Sequence, residues 1–96
     1  MLNPTFSRRL LLMLAIETLE RPSILILIED LAWPRRTIQD VLKSLVGMGV
    51  AVRFITDGVR HNDGYYQIED WGSVNREWAY QHQQQLQAAV REQLNR

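Results

Sequence analysis

In the first third of the chain, two successive segments have apolar residues at the spacing of one helix turn, which predicts two helices. The first helix begins after Asn3, a good N-cap followed by proline, and runs to about Leu19. Its middle is apolar on two faces, which requires burial on two sides. The run Ile24–Ile28 has strand propensity, but Ser23 can cap a helix and apolar residues recur here at helical spacing. We therefore predict a second helix over 24–32.

A third helix is predicted over 34–48, because Pro34 suits a first helical turn and glycines follow at the end. With Ile38 at the centre of the buried face, the opposite face carries polar residues at i, i+3, i+4 and i+7, namely Arg36, Gln39, Asp40 and Lys43. Arginine and glutamine are the residue types that make bidentate contacts with guanine and adenine. Taken alone, this pattern also fits a solvated helix face.

Residues 50–56 alternate between apolar and polar, as a half-buried strand does, and a second strand follows a glycine-rich turn. The pattern predicts a β-hairpin whose tip, over 57–63, carries Arg60 and His61. From about residue 70 onward the chain has no proline, and we predict one long C-terminal helix over 71–96.

The stretch 23–42, with its apolar anchors, three-residue turn and Arg36-Thr37-Ile38, resembles the helix-turn-helix unit of bacterial winged-helix regulators. Residues 64–72 are similar to the same region in a small family of uncharacterised bacterial winged-helix proteins. The resemblance implies an α+β fold, mainly α, with a three-helix core, a β-hairpin wing and a long C-terminal helix. One domain over 1–96 is expected, with core and wing over 5–70.

Two positions depart from the pattern of those regulators. Ile28 occupies a place usually held by a small alanine, and Ala32 stands where the turn usually has glycine. We expect Ala32 to be accommodated in a turn that does not need a positive φ.

The resemblance implies a DNA-binding transcriptional regulator that reads duplex DNA through the 34–48 helix and the 57–63 wing. Arg36 and Gln39 are expected at base edges, and Arg35 and Lys43 at phosphates. The predicted DNA-contacting residues are Arg35, Arg36, Thr37, Gln39, Asp40, Lys43, Arg60 and His61. The alternative is a winged-helix module that contacts other proteins and leaves this face unused.

Charge and composition narrow the function further. The formal net charge is zero, with 11 basic and 11 acidic residues, which argues against a non-specific polycation. The segment 33–61 nevertheless holds five basic and two acidic residues. There is no cysteine, and we find no catalytic, cofactor or metal-ligand motif, so we expect neither an enzyme nor a cofactor. The short apolar run near the N-terminus lacks a cleavage site and is too short for a membrane span, so we expect a cytoplasmic protein that does not cross a membrane. No small-molecule ligand is evident from the sequence.

Two apolar stripes lack an obvious cover. One is the second face of the first helix, with Leu12 and Ile16, and the other follows the last helix through Leu86, Val90 and Leu94. We predict that they meet between two copies in a homodimer. The alternative is that the last helix folds back over the first helix of its own chain.

Overall fold

Helices and strands follow in the order α, α, α, β, β, α, α in the computed structural model, which describes residues 1–60 and 63–94, with side chains up to Glu92. Their bounds are α1 Pro4–Thr18, α2 Ile24–Leu31, α3 Arg35–Val46, β1 Ala51–Thr56, β2 Gly64–Asp70, α4 Arg76–Gln81 and α5 Gln83–Leu94. This is the mainly helical α+β winged-helix architecture that the sequence predicts.

The first two helices begin where the sequence places their caps. Asn3 accepts a hydrogen bond from the backbone N–H of Phe6 at 2.9 Å, and Ser23 accepts one from that of Ile26 at 3.3 Å. Each bond satisfies an N–H group that has no partner inside the helix. The cap on Ser23 explains why the stretch after it, despite its strand propensity, is helical.

The middle of α1 is buried all round. Every residue from Leu10 to Ile16 is at most 8% exposed. Helices α2 and α3 and strand β2 contact α1, and α5 packs along it as well. The two-sided burial predicted for the first helix is therefore present, and the second cover comes from the same chain.

This packing supplies a cover within one copy for the apolar stripes assigned to a dimer interface, and the homodimer itself stays a prediction. Leu12, Ile16, Leu86 and Val90 are 0–5% exposed within one copy, in which α2, α3 and α5 all pack against α1. The alternative left open by the sequence is the one observed. The side chain of Leu94 lies outside the described part of the structure.

The prediction of one long C-terminal helix is wrong in two places. Helix α4 begins only at Arg76, because Gly72 has a positive φ of 60° and Asn75 caps the helix by accepting from the N–H of Trp78 at 2.9 Å. Gly72 also lies so close to Gly49 that a Cβ would collide with its backbone. The helical path then breaks at His82, whose φ is −112° and ψ is 21°.

The turn between α2 and α3 corrects the expectation for Ala32. This residue is the C-cap of α2 and adopts the left-handed conformation, with φ 59° and ψ 35°. Its N–H still closes the helix on the carbonyl of Ile28 at 2.9 Å. Trp33 follows at 7% exposure and fills the space behind the turn, as a core residue.

Glu17 joins α1 to the segment around α4. Its carboxylate accepts hydrogen bonds from Trp71 Nε1 at 2.8 Å, Arg76 Nε at 2.6 Å and the Tyr80 hydroxyl at 2.7 Å. Burial raises the pKa of Glu17, but the bonds from Arg76, Tyr80 and Trp71 together outweigh it and hold the pKa below its ordinary value. Burial and the bond to Glu17 raise the pKa of Tyr80.

We expect Ala32→Gly to stabilise the protein by about 0.5–1 kcal/mol. Glycine relieves the strain of roughly 1–2 kcal/mol that a left-handed conformation imposes on alanine. This gain exceeds the free-energy cost of the greater conformational entropy that glycine gives the unfolded chain. The same substitution at Ala88, which is exposed within α5, should cost about 1 kcal/mol. Thermal or urea unfolding of both variants measures the difference, and a loss of stability in both would contradict the strain at Ala32.

We expect Glu17→Gln to lower the free energy of unfolding at pH 7 by about 1–2 kcal/mol, because charge-assisted hydrogen bonds weaken. Since the folded-state pKa is depressed, this contribution is fully present above the unfolded-state pKa. It should fade as the pH falls below about 4.5. Urea unfolding at several pH values tests this, with the exposed Glu20→Gln as control. A difference between Glu17→Gln and the unaltered protein that stays constant down to pH 3 would contradict it.

Candidate nucleic-acid interface

Helix α3 presents opposite faces to the core and to the surface. Ile38, Val41 and Leu45 are buried, at 0–9% exposure. The polar face defined by the sequence remains uncovered, with Thr37 half-buried and five exposed side chains: Arg35, Arg36, Gln39, Asp40 and Lys43. Among the residues that the structure describes, neither those of α5 nor those of the wing cover this side, so it is accessible to a groove of DNA.

The cations of α3 are available for an external anion. Among the described residues, none of the ion pairs includes Arg35, Arg36 or Lys43. Arg53 on β1 differs, because its Nη1 lies 3.5 Å from a carboxylate oxygen of Glu69 on β2. The basic character of segment 33–61 is therefore concentrated on α3 rather than spread along the hairpin.

A cleft between α1 and α3 adds residues that the sequence reasoning missed. It has a volume of about 310 Å³, and Thr5, Arg8 and Arg9 of α1 line it together with Thr37, Asp40, Val41 and Ser44 of α3. The Arg9 Nη1 atom lies 3.9 Å from the sulfur of Met48, which holds the side chain against the end of α3. The sequence could not reveal this cleft, because it depends on how α1 crosses α3.

The hairpin is the predicted wing, with its tip at the predicted place between Thr56 and Gly64. The strands pair antiparallel, with Val52 opposite Ile68 and Phe54 opposite Tyr66. Arg60 is exposed at the tip, and its backbone N–H donates to Asp63 Oδ2 at 3.2 Å. His61 lies outside the described residues.

The tip end of the wing is fastened to the turn between α1 and α2. The N–H of Tyr66 donates to the Pro22 carbonyl at 2.8 Å. Arg21 pairs with Asp57, and its guanidinium carbon lies 4.8 Å from the ring centroid of Tyr65. These contacts set the direction of the wing relative to α3. The ion pair with Arg21 also neutralises the negative charge of Asp57.

The structure thus brings one predicted group together and leaves the others apart. Arg35, Arg36, Gln39, Asp40 and Lys43 share the open side of α3, and Arg60 projects separately from the wing. Within residues 1–60 and 63–94, no cluster of three or more His, Cys, Asp or Glu residues could hold a metal ion. No helix in this part of the chain is long and apolar enough to cross a membrane.

Comparison with known proteins identifies relatives of this arrangement. Residues 1–90 match the family described as "Winged helix-turn helix". The chain is also similar to the crystal structure of a DUF2131 family protein from Shewanella amazonensis SB2B. The two are 34% identical with a TM-score of 0.81, over 91% of this chain and 84% of that one. No curated protein matches the chain.

Proposed function

The chain belongs to the winged helix-turn-helix family, and from that premise we propose that it binds double-stranded DNA as a transcriptional regulator. The observation that carries the proposal is the open polar side of α3. Its opposite side is buried, and its cations form no ion pair with any residue that the structure describes. The protein acts by binding rather than by catalysis, and it does so in the cytoplasm.

In this proposal α3 lies in the major groove. An α-helix is about 10–12 Å across and the major groove is about 12 Å wide, so a helix fits into the groove. The twelve residues of α3 span roughly 18 Å and can lie along its floor. Arg36 and Gln39 lie one turn apart and reach base edges. Asp40 beside them accepts a hydrogen bond from cytosine and disfavours binding at positions without that donor.

Phosphate contacts flank the base contacts. Arg35 and Lys43 lie at opposite ends of the polar side of α3, and Arg9 and Thr37 line the cleft towards α1. Arg60 at the wing tip contacts the backbone beyond the groove. These contacts fix the position of the protein on the duplex without selecting its sequence.

The proposal is made for a single copy on one half-site. The described residues of the apolar stripes on which a homodimer was predicted, Leu12, Ile16, Leu86 and Val90, are buried inside the chain and have little exposed area left for a second interface. A winged-helix unit with one recognition helix and one wing is sufficient for a specific, modest-affinity contact.

Contact with another protein is the second candidate function. It is favoured by the first turn of α2, where Leu25 is 64% and Ile26 37% exposed. The two candidates differ in their response to salt. DNA binding weakens steeply with salt, because the release of counterions from the duplex becomes less favourable as the salt concentration rises, whereas a chiefly apolar protein contact does not weaken in this way.

We expect the double variant Arg36→Ala, Gln39→Ala to lose roughly 1–3 kcal/mol of binding free energy per base contact on a duplex selected from a random pool. Its affinity for random duplex should change much less. The matched control is Gln84→Ala, Arg91→Ala, which removes the same two residue types from the exposed surface of α5. Fluorescence anisotropy measures both. Equal losses in the two variants, or none in either, would remove the α3 pair from base recognition.

We expect Arg9→Gln to weaken binding to every duplex alike and to reduce the salt slope by about 1, because one phosphate contact is lost. The slope comes from affinities measured between low and physiological salt. Arg53→Gln is the control, since its guanidinium faces Glu69. An unchanged slope for Arg9→Gln would place DNA away from the cleft between α1 and α3.

A further inference from the structure

A second concave site lies on another part of the surface, between the end of α2 and α5. Its volume is about 540 Å³, within the usual range for small-molecule sites. Leu11, Trp33 and Val90 form an apolar floor, each 5–8% exposed, and Asp30, Gln87 and Arg91 form a polar rim. None of these residues belongs to the polar side of α3.

The rim carries two opposite charges that do not neutralise each other directly. Asp30 lies in the last turn of α2 and Arg91 in α5, and both side chains are exposed. Among the described residues, neither takes part in an ion pair or a side-chain hydrogen bond. A ligand that carries both charges can therefore satisfy the two groups at once.

We propose that this groove binds a free apolar L-α-amino acid. The guanidinium of Arg91 receives the α-carboxylate, for which its planar fork is suited, and the carboxylate of Asp30 receives the α-ammonium group. The amide of Gln87 is available to the same polar end of the ligand. The apolar side chain of the ligand covers the floor of Leu11, Trp33 and Val90.

The site adjoins the element that orients the recognition helix. Trp33 follows the left-handed Ala32 and precedes Pro34, the N-cap of α3. An amino acid seated on Trp33 thus contacts the connection between α2 and α3. The binding itself does not rest on the proposed DNA function, so it is tested without DNA.

Isothermal titration calorimetry of the full chain with L-leucine tests the proposal. We expect saturable binding with Kd in the range of about 10 µM to 1 mM. L-Leucinamide lacks the carboxylate and N-acetyl-L-leucine lacks the ammonium group, and each should bind at least about tenfold more weakly. No saturable heat from L-leucine, L-valine or L-phenylalanine at about 10 mM, a concentration well above that Kd range, would overturn the proposal.

Substitutions assign the two charges of the ligand to the two residues. Arg91→Gln should weaken leucine binding at least about tenfold and remove the preference over leucinamide, while Asp30→Asn should do so for N-acetyl-leucine. The neighbouring exposed Glu92→Gln and Glu29→Gln are the controls and should bind leucine as the unaltered chain does. Leucine binding that survives both rim substitutions would place the ligand elsewhere and overturn the proposal. Circular dichroism confirms that the four variants fold.

Discussion

The fold depends on the burial of α1 from two sides. Each side chain from Leu10 to Ile16 is removed from water, and a fully buried aliphatic side chain contributes roughly 1.5–3 kcal/mol. No single neighbour can cover a helix that is apolar all round, so α2, α3 and β2 cover part of it and α4 and α5 the rest. The positions of α3 and of α5 are therefore both set by α1.

In this arrangement the apolar helix sides pack inside the protein, and a polar helix side remains at the surface. The apolar side of α5 packs against α1, and the apolar side of α3 packs into the core. The polar side of α3 therefore remains an open basic surface. The zero net charge of the chain is compatible with such a surface, because several charges elsewhere are paired. Arg21 pairs with Asp57, Arg53 with Glu69 and Arg76 with Glu17, so they add little to the field around α3.

Features that depend on local chemistry could be predicted from the sequence. The caps at Asn3 and Ser23, the wing tip over 57–63 and the two faces of α3 follow from residue type and spacing. The features that could not be predicted need tertiary information. The strained φ of Ala32 follows from the angle between α2 and α3, and the break near Gly72 from its close approach to Gly49. The cover of the Leu86 stripe was ambiguous because an amphipathic pattern states which side is buried but not against what.

The pairing of α1 with α5 also affects how the protein is made. The ribosome produces α1 well before α5, so the side of α1 that α5 covers lacks that cover while the intervening elements are made. At about 5–20 residues per second, that interval lasts roughly 4–15 s. Apolar side chains on that side, such as Leu11, which lines one pocket with Val90 of α5, form a surface through which incomplete chains can aggregate.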